Sequence, residues 1–350
     1  MTGGQSESPV PPSATPRFGK IEPVKIGLFS ALYGHLPLEE VLAKLAAQGL
    51  QAIEIGVGAY PGQSHINPDE LLASAEARDR FLGLIRDHGL TISALSVHGN
   101  PIHPQGAIAQ PHHEAFIRGV KLASALGIPV VNGFSGCPGD HPGAVNPNWV
   151  TCAWPDEYRD ILEWQWNEVV IPYWTAQTHL LQEHNVNFAI EMHPGFVVYN
   201  NETLLRLRNR TGEHGHRIGA NFDPSHLWWQ GIDPLLAVRE LGEAGAIFHV
   251  HAKDTLIDPL NSGRNGNLDT KSYGDHLGRS WAFRSVGYGH DAKWWNDFVS
   301  MLRKVGYDYV LSIEHEDGLM TSDEGLAKAV ALLKQVVIQD PAGPMFWARD

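Results

Sequence analysis

FAIEMHP, residues 188–194, is a short apolar run that meets a carboxylate at Glu191 and then turns polar. The same pattern returns three times: IGANFDPSH at 218–226 with Asp223, IFHVHAKD at 247–254 with His251, and YVLSIEHED at 309–317 with Glu314. Glu191 and Asp223 are 32 residues apart, and Asp223 and His251 are 28 apart. Each interval is the length of one strand–helix unit. From His251 to Glu314 is 63 residues, one unit plus an insertion of about 30. Three carboxylates and an imidazole at the ends of successive strands describe one site at a common mouth.

Working outward, apolar runs rich in Val, Ile, Leu and Phe fall near 24–29, 51–55, 91–97, 129–134, 187–191, 217–222, 246–251 and 309–314. They are nearly continuous rather than alternating, as in a parallel sheet covered on its outer face. Helical periodicity lies between them, near 37–48, 69–88, 111–126, 167–184, 200–210, 233–242, 291–304 and 322–338. In the first of these, Pro37 suits an opening turn and Gly49 a C-terminal cap. Eight strands alternating with eight helices predict an α/β chain folded as a single-domain (β/α)8 TIM barrel; a doubly wound open sheet is the alternative. Long loops are expected after strands 4 and 7, near 135–166 and 254–290. Both leave the strand ends where barrel sites are built.

The expected organisation is a disordered tail at 1–22, a barrel at 23–340 and a C-terminal tail at 341–350. The first segment is rich in Pro, Ser, Thr and Gly, and it lacks the apolar core of a secretory signal. No apolar run approaches the roughly 20 residues of a membrane span. Cys137 and Cys152 are the only cysteines and form no CxxC pair, so the expectation is a reducing, cytoplasmic setting. The net charge of −13 speaks against nucleic acid as a partner. Small neutral substrates or cations fit that balance better than polyanions. The apolar tail PMFWARD at 344–350 leaves room for a homo-oligomer.

Glu191, Asp223, His251 and Glu314 are the predicted metal ligands. Like charges converging on one mouth repel unless a cation or protons hold them. Oxygen donors with one imidazole suit a hard octahedral divalent ion, Mn²⁺ first, with Mg²⁺ or Co²⁺ as alternatives. Each ligand also has an ordinary reading, as a helix cap or an arginine partner. His249 shares a strand face with His251 and reads as a barrel-interior residue. His193, His226, His98, Lys253 and Trp228 are the candidates for substrate contact. The tryptophans at 149, 154, 164 and 166 either face a sugar or pack their loop. Arg264, Lys271, Arg279 and Arg284 either grip an anion or pair with Asp269 and Asp275.

IEMHP, FDPSH, HVHAKD and SIEHED together resemble the xylose-isomerase-like TIM-barrel superfamily of sugar isomerases and epimerases. The resemblance runs in element order over about 24–338 and is specific as a set. It implies a divalent metal held by the four residues above, with Glu191 and Glu314 as the acid/base pair and His226 against substrate. The implied activity is isomerisation or epimerisation: a proton is taken from carbon next to a carbonyl, and an enediolate forms. Members also include lyases acting on 3-oxo-glycosides or inososes. The two long loops depart from the compact epimerases and leave substrate and reaction open. A non-catalytic sugar-binding barrel is the reading from a different class.

Overall fold

A computed structural model describes residues 22–340 and Trp347. The expected tails at 1–22 and 341–350 lie outside the described residues, Glu22 and Trp347 excepted. Among the described residues ten strands are formed: β1 (Lys25–Phe29), β2 (Ala52–Gly56), β3 (Thr91–Ser96), β4 (Val130–Gly133), β5 (Asn187–Glu191), β6 (Ile218–Phe222), β7 (Ile247–Ala252), β8 (Asp254–Ile257), β9 (Trp281–Arg284) and β10 (Val310–Ile313). Eight of them close a parallel barrel in the order β1-β10-β7-β6-β5-β4-β3-β2. The closed ring settles the choice against an open sheet. β8 and β9 pair antiparallel outside it.

The eight strands fall where the apolar runs place them. The helices differ in detail. The helix expected at 69–88 is two, Pro68–Ala73 and Ala75–Asp87. Ser74 separates them in an extended conformation, and its hydroxyl caps the second by accepting from Ala77 N at 3.1 Å. The helix expected at 111–126 begins at Gly106 and accommodates Pro111. The helix expected at 167–184 is preceded by helix Glu157–Trp164 and a π-helical turn at Gln165–Val170. The two long connections are therefore partly regular. The second carries helix Pro259–Asn265 and the β8–β9 hairpin.

Alternation along the strands sorts the barrel interior into layers. At the N-terminal end Ala94, Val130 and Ala189 pack with Phe248 and Tyr309 as an apolar plug. Above it lies a polar layer: Glu54 accepts from Ser96 Oγ at 2.5 Å, Asn132 Nδ2 at 2.9 Å and Ser312 Oγ at 2.7 Å. His249 belongs to this layer, 2.9 Å from Asn221 Oδ1 and 3.1 Å from Ser93 Oγ. It is the interior residue the sequence suggests. The next inward positions, two residues further along β5, β6, β7 and β10, open into the mouth. The large apolar core lies outside the ring, between strands and helices.

Candidate metal centre

Glu191, Asp223, His251 and Glu314 each offer an atom within 4.8 Å of the other three. His251 Nδ1 is 3.1 Å from Glu314 Oε2 and 3.4 Å from Glu191 Oε2. Asp223 caps helix Pro224–Trp228, its Oδ1 accepting from Ser225 N at 2.8 Å. The capping role read from sequence is thus real, and it uses one oxygen only. Oδ2 is buried without a hydrogen-bond partner. A solvent-excluded carboxylate oxygen without a hydrogen bond is costly, and its nearest nitrogens, His226 Nε2 at 3.4 Å and Lys253 Nζ at 3.8 Å, make none. Here it faces a set of oxygen and imidazole donors, which is what a hard divalent cation requires.

Electrostatics point the same way. Burial raises the Asp223 carboxyl above its usual range despite the attraction of His226 and Lys253. Burial opposes ionisation of Glu314, but Lys253 and His251 hold it down at about 2. Burial likewise opposes ionisation of Glu191, yet hydrogen bonds from His226 and His98 keep it well below its usual range. Burial would lower His251, but Glu54 and Glu314 raise it well above the ordinary histidine value. Three carboxylates share one dry pocket with Lys253 and His251, and Asp223 is the one whose carboxyl stays above its usual range, so a cation would relieve it most.

The surrounding candidates mostly converge. His226 Nε2 is 3.1 Å from Glu191 Oε1 and 3.4 Å from Asp223 Oδ2. His98 Nε2 is 3.0 Å from Glu191 Oε2. His193 lines the mouth with its ring 4.0 Å from that of His226. Burial, and then His226, lower its pKa to about 3, so it is neutral, with Nδ1 directed at Pro194 O. Lys253 Nζ lies 3.2 Å from Glu314 Oε2, 2.5 Å from Glu316 Oε2 and 3.8 Å from Asp223 Oδ2. His98, Glu191, His193, Lys253 and Glu314 line a cavity of about 390 Å³ walled by Phe29, Tyr60 and Phe134, with His226 behind Glu191.

Trp228 is not brought there. Its ring stacks on His290 at 3.9 Å and meets Trp294 at 4.5 Å, because the short helix after Asp223 turns it toward the helix that follows β9. The four loop tryptophans are not among the cavity's lining residues. Trp166 is buried, Trp149 packs edge-on against Tyr199, and Trp154 is exposed, so packing rather than the cavity explains the first two. Three of the four loop cations are committed as well. Lys271 pairs with Asp269 at 3.1 Å, Arg284 with Asp317 at 2.9 Å, and Arg279 lies between the rings of Tyr273 and Trp281.

Two features of the site carry weak sequence signals. Glu54 is fully buried beneath His251, its Oε2 3.0 Å from Nε2. The signal is a lone carboxylate inside the apolar run AIEIG. Phe134 stacks on Phe196 at 4.3 Å and meets His98 edge-on at 4.7 Å. Nothing distinguishes it in sequence from a core phenylalanine.

A closed parallel barrel with donors on its C-terminal rim defines the class. The chain belongs to the xylose isomerase-like TIM barrel family, whose profile matches residues 42–336. The uncharacterised protein YfiH of Bacillus subtilis (strain 168) is 39% identical over 319 residues, covering 90% of this chain and 100% of that protein. The rhizopine catabolism protein MocC of Rhizobium meliloti is 30% identical over 238 residues, 68% of this chain and 63% of that one. The crystal structure of the probable 3-DHS dehydratase AsbF, involved in petrobactin synthesis, from Bacillus anthracis shares the fold. Its TM-score is 0.60 at 16% identity, over 89% of this chain and 99% of that one.

Proposed function

We propose that this chain is a divalent-cation-dependent sugar isomerase or epimerase that moves a proton at carbon next to a carbonyl. One observation carries the reading: Glu191 and Glu314, the two groups able to take and return a proton, meet in the same donor set as the Asp223 oxygen that has no hydrogen bond. Glu191, Asp223, His251 and Glu314 would hold the ion. When bound, it supplies a Lewis acid for negative charge developing on substrate oxygen. That matters here, because a carboxylate held below its usual range by Lys253 and His251 is a weak base and needs a strongly acidified C–H. Lys253 keeps Glu314 ionised and ready to accept. His98 and His226 fix the Glu191 carboxylate from two sides. Phe29, Phe134 and Tyr60 offer apolar faces to sugar C–H groups and exclude water.

The substrate is an unphosphorylated sugar or cyclic polyol ketone. Among the described lining residues Lys253 is the only Lys or Arg, and three carboxylates already surround it. An anion would enter against Glu191, Glu314 and Glu316. A second reading keeps the same proton abstraction and then expels a β-substituent, as a lyase on a 3-oxo-glycoside or inosose. It is favoured by the cavity's continuation past Glu314 to His315 and the half-exposed Glu316, where a substituent could leave.

Incubation with Mn²⁺ in D₂O, followed by NMR, tests both. The expected result is deuterium uptake at the carbon next to the carbonyl of free ketoses, abolished by chelator and reduced at least about 100-fold in Glu314→Gln. Loss of an aglycone or water without epimer selects the lyase. Mn²⁺-loaded protein that exchanges no substrate proton in either series leaves only a binding barrel.

A further inference from the structure

Beneath the mouth lies another cluster of mutually close donors, Glu54, His249 and His251. Its chemistry is the opposite of a cation site. The Glu54 carboxylate already faces hydroxyl or amide hydrogens from Ser96, Asn132 and Ser312, on β3, β4 and β10. With β2 and β7, five strands meet at this one side chain. It is fully buried and cannot swing away. The remaining approach is taken by His251 Nε2, at 3.0 Å from Oε2 and 3.2 Å from Oε1.

An imidazole has two nitrogens, and the partner of one decides what the other can do. Here Nε2 faces both oxygens of Glu54, with Asn221 Nδ2 beside the ring at 3.1 Å, and Nδ1 faces Glu314 and Glu191. We propose that Glu54 is the positioning residue of this centre: it accepts the Nε2 hydrogen of His251, fixes the ring plane, and leaves the Nδ1 lone pair aimed at the ion. The inference rests on the reading that the four mouth residues hold a cation. A buried carboxylate behind an imidazole also pushes electron density toward the ligating nitrogen, and removing such a partner weakens metal affinity roughly 10- to 100-fold.

The test is the Mn²⁺ dissociation constant of the unaltered protein, Glu54→Gln, Glu54→Asp and His251→Ala, with and without Glu54→Gln in the last. Circular dichroism of the chelator-treated proteins reports folding, and the visible spectrum of the Co²⁺ forms reports ligand geometry. The expected result is binding at least about tenfold weaker in both Glu54 variants, an altered Co²⁺ band and an unchanged circular dichroism spectrum. In the His251→Ala background, Glu54→Gln is expected to add less than about threefold, because its effect passes through the missing ring. A folded Glu54→Gln protein with unaltered affinity and Co²⁺ band overturns the proposal. So does a full additional loss in the His251→Ala background, which would make Glu54 a structural support only. If Glu54→Gln does not fold, Glu54→Asp decides by the same criteria. Failure of the unaltered protein to bind Mn²⁺ overturns the proposed function as well, whereas normal binding with indifferent variants overturns this inference alone.

Discussion

His249 lies one layer below the mouth, between Asn221 and Ser93, with no water-facing surface. Burial lowers its pKa from 6.5 to about 4, against the pull of Glu54. The sign follows directly. The unfolded chain takes up this proton first as pH falls, so the stability contributed by neutral His249 is present above pH 6.5 and is lost on descent toward pH 4. The effect is on the order of 3 kcal/mol, and His193 adds to it in the same direction. Denaturant melts of chelator-treated protein are expected to show this loss, with a shallower acid limb in His249→Gln. An identical limb in the variant would remove His249 from the account. Residues at this scale were unevenly legible. Glu191, Asp223, His251 and Glu314 stand where apolar runs end, and a charge at that position is conspicuous. Glu54 and Phe134 stand within or just beyond such runs, where a carboxylate or aromatic ring has many explanations.

The β8–β9 hairpin is the element that makes this barrel depart from a plain repeat. Its anchor is Asp254, the residue that follows Lys253. The buried carboxylate accepts from the backbone N–H of Thr255, Gly287, Gly289 and His290, and from His290 Nδ1 at 2.8 Å. One side chain thus returns a segment of some thirty residues to the barrel. Asp254→Ala would strand several donors in a dry interior, at a cost of about 3–5 kcal/mol. The expected result is a large drop in the urea midpoint and faster hydrogen exchange at Gly287, Gly289 and His290. Protection unchanged at those three amides would show that the return segment is held by something else. The sequence marked this stretch as a long connection but not as a hairpin, because its pairing is between strands far apart in the chain. It also separated helices less well than strands. The break at Ser74 depends on a single cap, which a run of helical periodicity hides.

For the whole molecule, a cation that binds only the folded barrel must stabilise all of it. At a free concentration of 100 times its dissociation constant, Mn²⁺ should contribute about 2.7 kcal/mol, a rise of about 4 °C in the unfolding midpoint for a chain of this size. Scanning calorimetry with chelator and then with excess Mn²⁺ checks this; equal midpoints would deny the folded state any preferential hold on the ion. Among the described residues, no helix is long and apolar enough to cross a membrane. The net charge of −13 agrees with the neutral substrate proposed above. Eight apolar runs separated by helical stretches were enough to determine a parallel sheet covered by helices, because such strands bury both faces only under helices, whereas the closing pair β1–β10 that makes the sheet a ring is seen only in the structure. The intervals between four strand ends then determined which donors share a rim. The rest was decided by tertiary structure alone. Which oxygen of Asp223 is left unpaired, which nitrogen of His251 faces the mouth, and why Trp228 points elsewhere all depend on side-chain directions and on partners brought together from distant strands. Such distances arise only when the ring closes, and no local stretch of sequence encodes them.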